Sequence, residues 1–122
     1  MLKRIFCSVT ALAVLGMSEV VMAEELVDLG YDSKGSPVFL QREFPRSLSF
    51  ELVSPYGDGI LQTSFSAECG DGTVFLSVAD IYSASGRRIE HLPINEKSVP
   101  PSASPAGKAL KIVCRSIGAA GW

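Results

Sequence analysis

The sequence ILQTSFSAECGDGTVFLSVADIY, residues 60–82, decides the fold. Its first half alternates apolar and polar side chains, which is typical of a strand with one buried face. This alternation places Cys69 on the same face as Phe65 and Ala67. The segment Gly70-Asp71-Gly72 then predicts a turn, because glycine adopts a positive φ at little steric cost. The second half is apolar on both faces and predicts a central strand.

Further strands are predicted on both sides of this hairpin, with turn residues between them. A glycine-containing loop at residues 32–36 joins the first two strands, and residues 55–59 form a break after the third. Pro93 predicts that the last strand lies at the edge of the sheet or ends near this residue, because proline donates no hydrogen bond to a sheet. The predicted strands are Leu26–Tyr31, 37–44, 48–54, 60–69, Thr73–Tyr82 and 88–94. All are locally connected, which predicts an antiparallel meander.

The C-terminal segment predicts one helix after a polar linker at residues 95–103. Ser104-Pro105 is a favourable helix start, because serine caps exposed amides and proline fits the first turn. Gly118 predicts the end of the helix, and Gly107 weakens it by about 1 kcal/mol relative to alanine. Cys114 lies beside the apolar stripe of this helix, which consists of Ala106, Leu110, Val113 and Ile117.

Residues 1–23 have the pattern of an export signal. A basic start, Lys3-Arg4, precedes an apolar run at residues 5–17, and Val21-Met22-Ala23 has the small-x-small pattern of a cleavage site. A retained membrane anchor is the alternative, but Ser18-Glu19 interrupts the run before the ~20 apolar residues that a spanning helix needs. We therefore expect an exported product without a stable membrane anchor, located in the periplasm, at the cell surface or outside the cell.

The exported product is predicted to be a single domain, residues 24–122, with two cysteines in an oxidising compartment. Cys7 leaves with the signal, so a disulfide between Cys69 and Cys114 is the default expectation. The bridge would close a loop of about 46 residues, for which chain entropy gives on the order of 4 kcal/mol. The predicted fold class is α+β: a five- or six-stranded antiparallel sheet with one C-terminal helix packed on it and tethered by the disulfide.

Composition and motifs argue against several classes of function. Without residues 1–23 the chain has nine basic and twelve acidic residues, a formal net charge of −3, whereas nucleic-acid binders are usually basic. One histidine, His91, and no C-x-x-C spacing predict neither a metal site nor a cofactor. His91 has no thiol nucleophile to activate if both cysteines are oxidised, and no G-x-S-x-G motif occurs. We therefore predict a non-catalytic protein, in which Asp80 faces inward beside Tyr82.

Several short motifs carry a resemblance to a known family. They are Glu68-Cys69, Asp80-Ile81-Tyr82, Ser85-Gly86, the Pro/Ser stretch at residues 100–104, and Ile112-Val113-Cys114. Over roughly the last 60 residues the chain resembles the surface-adhesin protein E-like family of small exported bacterial proteins. The resemblance implies an antiparallel sheet with a disulfide-linked C-terminal helix. It also implies a binding or cell-envelope role, with an extracellular or periplasmic protein as the expected partner.

Four exposed turn and loop residues are the candidate partner-binding positions: Ser85, Arg87, Arg88 and Tyr56. The loop at residues 85–88 is similar to the Ser-Gly turn of bacterial lysozyme inhibitors, in which a serine and a basic residue enter the enzyme. The alternative function is therefore a periplasmic inhibitor of a lytic enzyme such as lysozyme. It requires that Ser85, Arg87 and a second lysine converge on one rim. Self-association through an open sheet edge or an apolar patch is a further alternative.

Overall fold

A computed structural model describes residues 26–42 and 46–122, and within them the fold is a sheet with one helix. The elements are β1 (Leu26–Tyr31), β2 (Pro37–Gln41), β3 (Ser49–Tyr56), β4 (Gly59–Glu68), β5 (Thr73–Tyr82), β6 (Arg88–Ser98) and α1 (Pro105–Ser116). The predicted α+β class is therefore confirmed. The predicted signal at residues 1–23 and positions 43–45 near the end of the predicted second strand lie outside the described residues.

The described strands form one six-stranded antiparallel sheet in chain order, β1-β2-β3-β4-β5-β6. Each strand pairs with its neighbour along the chain, as expected for a meander. β5 lies between β4 and β6 and is an interior strand, as its apolar sequence predicts. Since successive strands run in opposite directions, the β1–β2, β3–β4 and β5–β6 hairpin loops lie at one end of the sheet.

The helix begins and ends at the predicted signals. The Ser104 hydroxyl accepts a hydrogen bond from the Gly107 backbone N–H at 3.1 Å, and Pro105 occupies the first turn. At the other end Gly118 has φ +74° and donates its N–H to the Arg115 carbonyl at 3.1 Å. Side chains of α1 pack on β1, β2, β4 and β5.

One apolar core fills the space between the helix and the sheet. Phe50 and Phe65 stack within this layer, with ring centroids 5.3 Å apart. The largest fully buried side chains of the described residues come from both layers; they are Leu40, Phe50, Val74, Val113 and Cys114. The helix is therefore held chiefly by burial of its apolar stripe, since short helices gain little stability on their own.

The predicted disulfide ties this helix to the turn after β4. Cys69 and Cys114 are bonded, with a Cα–Cα distance of 5.7 Å. The C-terminal residue strengthens the same corner, because Trp122 donates its indole N–H to the Cys69 carbonyl at 2.9 Å. Arg115 in turn donates to the Trp122 carbonyl at 2.8 Å. The helix, the tail and the β4–β5 turn thus form one connected corner.

The last strand is longer than the sequence predicts. β6 extends to Ser98, so the predicted end at residue 94 and the predicted linker over residues 95–98 are wrong. Pro93 faces Val78 where the β5–β6 register shifts, and Asn95 has φ +59°. These irregularities let an edge strand accommodate proline, and the strand continues beyond it.

The predicted break at residues 55–59 is also wrong in extent. Pro55 pairs with Ile60 and Tyr56 with Gly59, so the strands continue to a two-residue loop, Gly57-Asp58. Gly57 has φ +60° at the first loop position, where tight hairpins favour glycine. The β3–β4 hairpin therefore projects further than the sequence predicts.

Candidate functional site

The sheet face opposite the helix is the candidate functional surface. Directly opposed residues of neighbouring strands share a face, and one such row crosses the whole sheet. Leu40 and Leu52 belong to the core beneath the helix and are sequence neighbours of two members of this row. Because side chains alternate between faces along a strand, the row lies on the face away from the helix. Its members are Asp28, Phe39, Val53, Gln62, Asp80 and His91.

An apolar groove of about 960 Å³, which we call the open-face groove, lies on this surface. Its walls come from β1 through β5 and from the β5–β6 loop, so the sheet is concave on this face. The larger apolar lining residues are Leu26, Pro37, Phe39, Val53, Pro55, Ile60 and Tyr82. Leu26 is 51% exposed and Ile60 39% exposed, so part of this apolar wall is in contact with solvent.

The β5–β6 hairpin borders the groove and is held by its serines. The Ser83 and Ser85 hydroxyls are 2.9 Å apart, and the Ser83 hydroxyl accepts the Arg87 backbone N–H at 3.3 Å. Gly86, with φ +88°, and Ala84 line the groove. Both serines therefore shape the turn, and the Arg87 side chain makes no hydrogen bond or ion pair within the described chain.

A charged cluster lies beside the groove on β5 and β6. Asp80 is 7% exposed, and its carboxylate lies 2.6 Å from His91 Nδ1 and 3.7 Å from Arg88 Nη1. The prediction that Asp80 faces inward is correct as to burial, but the side chain lies on the face away from the helix. His91 and Arg88 both contact this carboxylate, so the cluster joins β6 to β5 at the groove margin.

The predicted partner-binding residues do not form one cluster. Ser85 and Arg87 lie in the hairpin beside the groove, whereas Arg88 is engaged with Asp80. Tyr56 is 54% exposed on the neighbouring hairpin, one position after Pro55, which lines the groove. Because strand residues alternate between faces, Tyr56 points toward the other face.

No described lysine joins Ser85 and Arg87 on a rim. Lys97 pairs with Glu68 at 3.3 Å, at the opposite end of the sheet. Lys108 donates to the Leu29 carbonyl at 3.3 Å from the helix. Lys34 lies in the β1–β2 loop, about 19 Å away at ~4.8 Å per strand spacing. Lys111 lies on α1, which packs on the other face of the sheet. The described lysines therefore do not converge with Ser85 and Arg87 as the inhibitor alternative requires.

Groups with shifted pKa values lie away from the groove. The Thr73 hydroxyl donates to Glu68 at 2.6 Å and lowers the pKa of that carboxyl, an effect that Lys97 supports and partial burial opposes. Burial lowers the pKa of Arg42, which donates to the Ser116 hydroxyl and the Ser47 carbonyl. Arg42 contacts the end of the helix, whereas Glu68 lies beside the β4–β5 turn, at the opposite end of the sheet from the hairpins that border the groove.

Two further features bear on function. Within residues 26–42 and 46–122, no three His, Cys, Asp or Glu side chains are grouped to hold a metal ion. No helix in the same part of the chain has the length and apolarity needed to cross a membrane. The disulfide is compatible with an exported protein.

The chain matches no family model, no curated protein and no solved structure. The resemblance to the surface-adhesin protein E-like family therefore stays a prediction from the sequence motifs. Nothing in the sequence marks the groove residues Phe39, Val53, Gln62 and Tyr82 as one site. Strand alternation assigns each to a face of its own strand, but only the register and curvature of the sheet bring them together.

Proposed function

We propose that this chain is an exported, non-catalytic binding protein of the adhesin-E-like class that binds another extracellular or periplasmic protein on the open face of its sheet. The open-face groove is the observation that carries this proposal. Binding pockets are typically concave and mostly apolar, with a few polar groups, and have volumes of roughly 300–1,000 Å³. The groove, at about 960 Å³, falls within this range.

The position of the groove supports a binding role. The helix covers the other face of the sheet and completes the core there, so folding does not need an apolar concavity on the open face. Burying apolar surface against a partner is favourable by roughly 25 cal/mol per Å². A partner would therefore gain from covering side chains such as Leu26 and Ile60.

The test is affinity capture of periplasmic and extracellular proteins on the oxidised protein, with mass spectrometry as the readout. The groove variant is Val53→Arg, which places a charge on the floor of the groove. The matched control is Val78→Arg, because Val78 is also half-buried on the open face of an interior strand but does not line the groove. A Cys69→Ser/Cys114→Ser variant controls for the folded state.

We expect a partner that binds the wild type and Val78→Arg but is lost with Val53→Arg. A partner retained by Val53→Arg would place binding elsewhere and contradict the proposed surface. Capture of a lysozyme that depends on Arg87 would favour the inhibitor alternative instead. If the folded protein captures nothing, the protein-binding role is refuted.

A further inference from the structure

We propose that the open-face groove takes an extended, uncharged and mainly apolar peptide segment of about six residues from the partner protein. This inference rests on the proposed function and specifies what the groove recognises. Three properties of the groove support it: its length, an apolar floor whose single charged lining residue, Asp58, lies in the β3–β4 loop, and two polar groups at its floor and margin.

The length of the groove fits an extended chain. It runs from Leu26 on β1 to Tyr82 on β5, which is four inter-strand spacings. At ~4.8 Å per spacing this is about 19 Å. An extended peptide advances ~3.3 Å per residue, so about six residues span the groove.

The charges around the groove favour an uncharged segment. Asp58, in the β3–β4 loop, is the charged residue among those that line it. The nearest buried carboxylate, Asp80, already contacts Arg88 and His91. A charged side chain placed on the apolar floor would lose hydration without gaining an opposite charge.

Two polar groups favour a peptide over a hydrocarbon chain. Gln62 opposes Val53 on the floor, and Tyr82 opposes Ile60 at the margin. The Gln62 amide and the Tyr82 hydroxyl make no hydrogen bond to another described residue. A hydrocarbon chain would bury both groups without a partner, which is unfavourable. Peptide N–H and C=O groups provide partners for both.

The experiment is selection of a phage-displayed library of random hexapeptides on the immobilised, oxidised full chain. Enriched sequences are then synthesised with capped ends, and their Kd is measured by fluorescence anisotropy. We expect uncharged, mainly apolar sequences whose binding weakens at least tenfold with Val53→Arg and is unchanged with Val78→Arg. Gln62→Leu removes one hydrogen-bonding group at similar size, so it should weaken binding about fivefold.

Three results would overturn the inference. Enrichment of charged hexapeptides, or of none above the Val53→Arg background, would show that the groove does not select such a segment. Tight binding of 1-dodecanol that Gln62→Leu improves would identify a hydrocarbon site instead. If a captured partner depends on Val53 but no hexapeptide is enriched, the proposed function stands and only the peptide inference fails.

Discussion

Substitution of Gly107 by alanine should destabilise the protein, although helix propensity alone predicts the reverse. Alanine in a helix is favoured over glycine by about 1 kcal/mol. A Cβ atom on Gly107, however, would lie 2.0 Å from the Pro101 carbonyl oxygen and 2.9 Å from its carbon, where ordinary contacts begin at 3.4 Å. The neighbouring backbone would have to move by more than 1 Å.

The size of the effect follows from two opposing contributions. Overpacking in a well-packed site typically costs about 1–3 kcal/mol, against the propensity gain of about 1 kcal/mol. Movement of Pro101 would also weaken the helix start, because its carbonyl accepts the Ser104 N–H at 3.0 Å and the Ser104 hydroxyl at 2.6 Å. We therefore expect a net loss of about 1–2 kcal/mol, or roughly 4–16 °C in Tm for a domain of this size.

The assay is equilibrium urea unfolding together with calorimetry, both under oxidising conditions. Gly70→Ala is the matched control, because Gly70 has no positive φ and a Cβ atom there meets no atom within 4 Å. This control should change the free energy of unfolding by less than about 1 kcal/mol. A Gly107→Ala protein more stable than the wild type would refute the close approach of Pro101 and the helix.

Three further predictions concern the corner of the molecule near the disulfide. Replacing both Cys69 and Cys114 by alanine should lower the free energy of unfolding by about 4 kcal/mol. An unchanged free energy in urea titration would contradict a stabilising disulfide. Trp122→Phe removes the donor to the Cys69 carbonyl and should cost about 1 kcal/mol by the same assay; no loss would mean that water replaces the bond without penalty. Thr73→Val should raise the pKa of Glu68, measured by NMR titration of the carboxyl, because its strongest hydrogen bond is removed. Because the pKa of Glu68 is lower in the folded protein, this carboxylate stabilises the fold above the ordinary glutamate pKa, and its contribution is lost as the pH falls through the folded pKa. The free energy of unfolding should therefore fall more steeply with acid in the wild type than in Thr73→Val. The opposite order would contradict this.

Local chemistry made most of the fold predictable. The cap at Ser104-Pro105 and the stop at Gly118 depend on neighbouring residues, and the structure confirms both. At the end of β4, Phe65, Ala67 and Cys69 pack against the core, as the alternation predicts. The extent of β6 was not predictable, because Pro93 is acceptable only at an edge with a shifted register. That register is set by β5, which is a tertiary partner.

The candidate site was less accessible from sequence for a related reason. Turn residues such as Ser85 and Arg87 stand out in a sequence, since glycine and serine mark loops. The groove instead depends on the curvature of the whole sheet. This curvature accumulates from small twists between several pairs of strands. Alternation assigns Phe39 and Val53 to faces of their own strands, but it does not show that they line one concavity.

The pairing of strands in chain order has a consequence for how the molecule forms. Every sheet contact between the six described strands joins neighbours along the chain, and such local topologies favour rapid folding because few long loops must close first. The bridge is different, since Cys114 follows Cys69 by 45 residues and belongs to the last element. As the chain is made from its N-terminus, the β1–β4 meander can assemble while Cys69 is still a thiol without its partner. A Cys69 thiol oxidised before Cys114 is available is open to pairing with another thiol, so the native bridge depends on the last element of the chain.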